Sequence, residues 1–488
     1  MVAPPSNGPR QTLPQNATMK RMLSGILLAI LPATTVSFAK PPIPTPRETP
    51  VVGDMDHYFL ESMYGLKESD AGLQHVVDSP EFRELVAKHD LKLLGGPMLG
   101  CVTDHSARIW VRTTEAASVQ VVMDGQSSEV VETSAEMDYS ALLDLDDLQP
   151  STSYTYDVLV NGKSVFADNK PTFRTYPSKD EKATFSVAFG GGARYNPPKE
   201  KIWDVIAGRS PDGILLLGDN VYIDQPKSRT KQRVHYYRRQ LRPEFQRLTA
   251  STSVYAVYDD HDLGVDDSSG GPRKFKPSWK FESWKVFREN WNNPAYGGGD
   301  ELPGCWFDFS IGDVDFFMLD NRYYRSFEDG TMLGPEQKEW LLDKLKASDA
   351  TFKVLASGTL WTEHADKGGR DSWWGVKEER NEIFDFIETE NIGGVILLSA
   401  DRHRTDVYKI ERPNSYDLFE FETSKMTNDH THPTKEEAVF SYNEGNFFGL
   451  LKFDLEKPDP EVTFECITME DQKVYEMTLK RSQLQAAE

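Results

Sequence analysis

Two kinds of hydrophobic patterning divide this chain. Between Leu94 and Tyr176 apolar and polar side chains take turns, as in Ala107-Arg108-Ile109-Trp110-Val111-Arg112, Val119-Gln120-Val121-Val122-Met123 and Tyr154-Thr155-Tyr156-Asp157-Val158-Leu159-Val160. Successive side chains of a strand point to opposite faces, so this alternation predicts strands with one buried face. Asp124-Gly125 and Asn161-Gly162 are turn signals that end two of them. Short strands at this spacing predict a small all-β sandwich over residues 94–177.

From Lys182 the apolar residues run together instead, at 184–189, 213–217, 254–258, 314–319, 352–356 and 394–398. Such runs predict strands buried on both faces, the habit of sheets covered by helices. Helical periodicity fills the gaps at 335–346 and 378–390. The prediction is a layered α/β sandwich over 178–482, preceded by the β sandwich.

Upstream, the prolines between Lys40 and Pro50 read as a linker, and Asp54 to Leu93 carries helical periodicity with a charged face. Together residues 40–93 are predicted to be a linker and helical preamble. Residues 19–39 place Lys20 and Arg21 before an apolar run too short to span a membrane, and Ser37 and Ala39 precede a cut after Ala39. This resembles a secretory signal peptide; a buried N-terminal helix is the other reading, and either Met1 or Met19 is the start. A secreted or periplasmic protein without a transmembrane segment is expected.

Charge narrows the partners. With 55 Lys+Arg against 77 Asp+Glu the formal net charge is −22, which repels nucleic acid and anionic surfaces. No stable nucleic-acid complex is expected, and a monomer is. The three cysteines, Cys101, Cys305 and Cys466, are far apart, so a thiolate zinc site is disfavoured and at most one disulfide can form.

The chemistry gathers where the apolar runs end. Acids stand there at Asp219, Asp259/Asp260, Asp320 and Asp401, with His261 and His403 just beyond two of them. One acid at a strand end is commonly a cap or turn residue. Several brought together repel unless protons or cations neutralise them, and oxygen-seeking cations do so. The set points to a metal centre before a proton-relay dyad.

These residues carry a resemblance. Gly218-Asp219-Asn220-Val221-Tyr222 resembles the GDxxY motif of metallophosphatases, and Asp259-Asp260-His261-Asp262 resembles the DDHD/E element of one branch. Asp320-Asn321-Arg322-Tyr323-Tyr324-Arg325 is similar to that branch's DxRxYR segment, and Asp401-Arg402-His403 to the late GDxH motif. With the β sandwich, whose Leu148–Tyr154 stretch is similar to the LxPxTxY corner of fibronectin type III-like domains, the chain resembles the alkaline phosphatase D (PhoD-like) metallophosphatases over roughly 94 to 455. The resemblance implies two or more metal ions, calcium or iron with manganese as an option. Asp219 would bridge them, Tyr222 would be a phenolate ligand or else a core tyrosine, and Asp260, Asp401 and His403 would complete the shell. His261 would contact the phosphate or protonate the leaving oxygen. Arg194 would hold a phosphate oxygen or else pair at the surface.

The sequence departs from the family pattern at Gly192, which stands where many relatives place an iron-binding Cys, at Asp266 in place of an Asn, and at Ser399-Ala400 before Asp401. The missing thiolate puts iron in question; the amides of Gly190, Gly191 and Gly192 offer an anion cradle instead. Trp361, His364, Asp371, Trp373 and Trp374 are read as core or lid before a pocket wall that selects the leaving group, the basic stretch Lys227 to Arg239 as mostly a solvated helix face from which one or two residues could steer phosphate, and His430 and His432 as an exposed polar loop that could approach the site. The expected function is hydrolysis of phosphoric mono- or diesters, of small-molecule, lipid or nucleotide type, by a metal-activated hydroxide. The alternative is a non-catalytic phosphate- or ligand-binding protein on the same scaffold.

Overall fold

The computed structural model describes residues 51–486, except Glu68, Asp124 and residues 366–368. The signal-like segment 19–39, the linker 40–50 and the Asp124 turn position lie outside the described residues.

The alternating segments form the strands expected of them. Leu93–Gly100, Ala107–Thr113 and Ser140–Leu145 make one antiparallel sheet. Ser118–Met123 and Ser153–Val160 pair antiparallel in the other, Val119 opposite Val160 and Val121 opposite Val158. Val119, Val121, Tyr156 and Val158 are buried.

The unbroken apolar runs build two larger sheets. In one, Ser253–Ala256, Gly213–Leu216 and Thr184–Gly190 lie parallel, and Phe447–Asp454, Glu461–Thr468 and Lys473–Lys480 continue it antiparallel. In the other, Val314–Met318, Phe352–Ala356, Val395–Ser399 and Leu418–Thr423 run parallel, with Phe307–Ile311 on one edge and Thr405–Ile410 and Phe440–Tyr442 on the other. Phe189 and Phe421 each pack against Phe464 between the sheets. Helices Pro335–Ala347 and Lys377–Thr389 match the helical periodicities read from the sequence. Both sheets turn the C-terminal ends of their parallel strands toward the same set of loops, which carry the acids.

The preamble is helical, at Gly53–Phe59 and Pro80–Lys88. Its Phe59 packs on Tyr237 of helix Arg229–Gln240 at 5.2 Å between ring centres. That helix corrects the reading of its basic residues as a solvated face: Arg233, Arg238 and Arg239 are buried. Arg238 pairs with Asp56, Arg233 with Asp70 and Glu289, and Arg239 with Glu200. Buried guanidinium groups require such partners.

All three cysteines are free. Among the described residues no helix is long and apolar enough to cross a membrane.

Candidate metal centre

Four of the site's side chains, two of them acids, are delivered by backbone that departs from the ordinary. Asp219, Tyr222, Asp401 and His403 have φ of 54°, 54°, 82° and 48°, a left-handed conformation that non-glycine residues adopt at a cost and that gathers at functional sites. Gly218 makes the approach possible: at its φ of 104° a Cβ would fall 2.4 Å from Cβ of Asp259. Asp259 caps the short helix Asp260–Leu263 and shares a capping box with Asp262. Asp262 itself accepts from the amides of Asn220 and Val221, so the loop bearing Asp219 and the helix bearing Asp260 are fastened together.

Three groups of ligand atoms result, one of them Asp260, Asp267 and Asp371, which shares Asp260. Asp219, Asp260 and His261 bring one atom each within 4.8 Å of one another, and Asp219, Asp259 and Asp401 do the same. Asp219 belongs to both. Oδ1 of Asp219 and Oδ2 of Asp259 are buried without a hydrogen-bond partner, which in a protein interior demands an explanation. Burial and the charges of Asp260, Asp259 and Asp262 raise the Asp219 carboxyl well above the usual range, against the pull of His261. Burial likewise raises Asp401 to about 6, offset in part by Arg402 and reinforced by Asp371 and Asp260. Carboxylates held this way gain from a cation.

Tyr222 lies among them. Its hydroxyl is 3.4 Å from Nε2 of His403, and its ring stacks on His261. Burial, the Asp219 charge and a hydrogen bond to Asp219 raise its phenol well above the ordinary value. His261 donates from Nδ1 to the Asp224 carboxylate at 2.7 Å, with Asp266 3.7 Å from Nε2. Burial lowers its imidazolium, but Asp219, the Asp224 bond and Asp260 outweigh this and raise it to about 11. His403 is driven well below its usual value by burial and by His432 and His430.

A cavity of about 720 Å³ opens over these groups. All seven of the residues singled out from the sequence line it: Arg194, Asp219, Tyr222, Asp260, His261, Asp401 and His403. Two other readings change. Asp320 is not at the centre; it clamps its own turn, accepting from the amides of Cys305, Arg322 and Tyr323 and from the Tyr258 hydroxyl. The glycine amides cradle no anion, because Gly191 and Gly192 donate to Thr423 and Gly218 carbonyls. A Cβ at Gly192 would lie 2.7 Å from the Lys425 amide nitrogen and 3.2 Å from Nδ1 of His403, so an imidazole stands where a thiol would project. His430 and His432 also line the cavity, although no local sequence signal beyond their spacing marks them. Asp266 is 78% exposed.

Trp361 and Trp373 are core, stacked at 4.2 Å and fully buried. Asp371 receives Arg322 and Arg325, and Arg322 donates to Asp259 as well. Asp259 and Asp371 thus enter the site's support, and Tyr64 of the preamble reaches the cavity wall.

A family model described as PhoD-like phosphatase matches residues 187–457, more than half of the chain. The chain belongs to the PhoD-like phosphatase family. A domain of unknown function (DUF7800) matches residues 90–178, upstream of the PhoD-like region. Alkaline phosphatase D of Bacillus subtilis (strain 168) is 30% identical over 118 residues, an alignment spanning 20% of this chain and 20% of that relative. The fold is similar to the solved structure of PhoD, with a TM-score of 0.66 at 16% identity, covering 81% of this chain and 92% of that one. It is also similar to the purple acid phosphatase isolated from yellow lupin seeds, with a TM-score of 0.57 at 12% identity, covering 79% and 75%. At these identities the likeness is one of fold, a metallophosphatase-like mixed α/β architecture.

Proposed function

We propose that this PhoD-like chain is an exported, metal-dependent hydrolase of phosphoric esters. The observation that carries the reading is the pair of acid groups sharing Asp219, with unpartnered buried oxygens on Asp219 and Asp259. Asp219, Asp260 and Asp401 would hold the ions, with Tyr222 and His403 adding a phenol oxygen and an imidazole nitrogen. Oxygen-rich donors suit calcium or manganese, and the phenol suits iron. Such ions would polarise the phosphoryl group and lower the pKa of a bound water.

The side chains do the rest. Arg194 on the cavity wall presents a planar donor pair suited to two phosphate oxygens. His261, oriented by Asp224, would hand a proton to the leaving oxygen. The cavity, about 720 Å³, is of the size that encloses a small organic molecule and so has room for the ester's organic group beside the phosphate.

The test is Asp219→Asn in the full chain, assayed on a panel of mono- and diesters with added calcium, manganese or iron. Turnover should fall at least about 1,000-fold, the order expected when a main source of transition-state charge stabilisation is lost, while circular dichroism is unchanged. Near wild-type turnover in this variant would overturn the reading. A wild-type protein that binds phosphate but turns over no ester would favour the binding-protein alternative.

A further inference from the structure

The third acid group, Asp260, Asp267 and Asp371, already has cations built into it. Arg322 and Arg325 are fully buried, and each donates to Oδ1 of Asp371 at 2.5 Å. Arg322 also donates to Asp259 and lies 3.8 Å from Oδ1 of Asp260. Two fixed guanidinium groups meet the charge here, which sets this group apart from the two that share Asp219.

Arg325 does more than balance Asp371. The rest of its fork grips the backbone of the loop 264–271: Nη2 donates to the carbonyls of Asp267 and Ser268 at 3.0 and 2.9 Å, and Nε to the Ser269 hydroxyl at 2.7 Å. The amides of Gly270 and Gly271 donate in return to the Arg322 and Arg325 carbonyls at 2.8 and 3.0 Å. The buried Lys280 ammonium donates to the Gly271 and Tyr323 carbonyls at 2.9 and 2.8 Å. The packing is close: a Cβ at Gly270 would fall 2.1 Å from the Tyr323 carbonyl oxygen.

This loop reaches the metal centre at two points. The Asp267 amide donates to Oδ2 of Asp260 at 2.5 Å, while the His261 amide donates to Oδ1 at 3.0 Å. Asp266 stands 3.7 Å from Nε2 of His261. One amide on each oxygen fixes the Asp260 carboxylate in one orientation, and each oxygen keeps a further lone pair for an ion. A ligand oriented in advance loses less freedom when the ion binds. The Asp267 amide keeps its place because Arg325 grips the two carbonyls that follow it.

We propose that Arg325 is a positioning residue for the metal ligand Asp260: anchored on Asp371, it fixes the loop whose Asp267 amide sets the Asp260 carboxylate. The proposal rests on the metal-dependent reading above and adds to it a residue that acts from outside the ligand set.

The test is Arg325→Lys. It keeps a positive charge for Asp371, but one ammonium on a flexible stem cannot reach Asp371, Ser269 and two carbonyls together. Two quantities are measured on the full chain after chelator treatment: amide hydrogen exchange over residues 264–271 without metal, and affinity for manganese(II) by calorimetry. Expected are faster exchange of the Asp267, Gly270 and Gly271 amides and manganese binding about 10- to 100-fold weaker than in wild type. A merely structural role would lower the unfolding temperature and leave the affinity unmoved. Exchange or affinity equal to wild type overturns the proposal. Gly270→Ala, which keeps Arg325 but pushes the loop away from Tyr323, should change both quantities in the same direction, and it decides by the same criteria should Arg325→Lys not fold. A wild type that binds manganese, beside a variant that binds it as tightly, defeats the role of Arg325 and leaves the metal-dependent reading standing; a wild type that binds no manganese, calcium or iron defeats that reading instead.

Discussion

Tyr222 lies on His261, ring centres 4.5 Å apart and planes 25° from parallel. The stack joins a residue beside Asp219 to one beside Asp260, and the tyrosine hydroxyl faces His403. Packing and ligation by Tyr222 are therefore separable. Tyr222→Phe keeps the ring and removes the oxygen. It should leave thermal stability of the metal-free protein within about 0.5 kcal/mol and weaken the activating ion about 10- to 100-fold, read by activity against metal concentration. Equal metal dependence in the two proteins would make Tyr222 a packing residue.

His261 should matter in proportion to the need for a proton at the leaving oxygen. Its Nδ1 is engaged by Asp224, which leaves Nε2 for the ester. His261→Gln should lower kcat for alkyl phosphates by about 100- to 10,000-fold and much less for nitrophenyl phosphate, whose leaving group needs no proton. A leaving-group series measured on both proteins checks this; equal losses across the series would place His261 in phosphate binding.

The preamble is fastened to the catalytic unit by charge as well as by apolar packing. Asp56 accepts from Arg238 through both carboxylate oxygens, and both residues are nearly inaccessible. Arg238 in turn lies over the ring of Tyr195, which lines the cavity. Asp56→Ala removes the carboxylate that pairs with this buried guanidinium and should cost about 3–5 kcal/mol, read by urea unfolding. Asp56→Leu with Arg238→Met, which removes both charges, should recover most of the loss.

The same pair shows what the letters conveyed and what they withheld. The strand-end acids were legible because unbroken apolar runs mark buried strands and the next polar residue must sit at their edge. Asp219, Asp260 and Asp401 followed from that logic; Asp320 did not, since an acid at the same kind of position can as well clamp its own turn. The helix Arg229–Gln240 looked solvated because its counter-charges are elsewhere in the chain, Asp56 lying 182 residues from Arg238. Charge seen along a sequence has no partner until the fold supplies one. His430 and His432, read first as exposed, reach His403 for a related reason: hydrogen bonds from Met426–Asn428 to the glycine loop hold their loop beside the cavity.

Behind the site, Glu420 gives a pH dependence whose direction can be worked out. Its carboxylate accepts from the Ser399 hydroxyl at 2.5 Å and from the amides of Trp361 and Thr362 at 2.8 and 2.9 Å. Burial outweighs these bonds and raises the group to about 7 from an ordinary 4.5. Between those values the unfolded chain releases the proton while the folded chain keeps it. The unfolded state then binds fewer protons, so stability falls as pH rises through this window, by about 3 kcal/mol in all. Glu420→Gln removes the charge while its oxygen, at the Oε1 position, accepts from the Trp361 amide and the Ser399 hydroxyl; its amino group then faces the Thr362 amide that Oε2 had accepted from. The variant should fall below wild type near pH 4.5 by about 1 kcal/mol for the lost Thr362 bond, and gain on it by about 3 kcal/mol as pH rises from about 4.5 to 7. Urea unfolding of both proteins at pH 4.5, 6 and 8 measures it. Parallel stability curves would mean that Glu420 is ionised in the folded protein throughout, its charge met by the three donors alone.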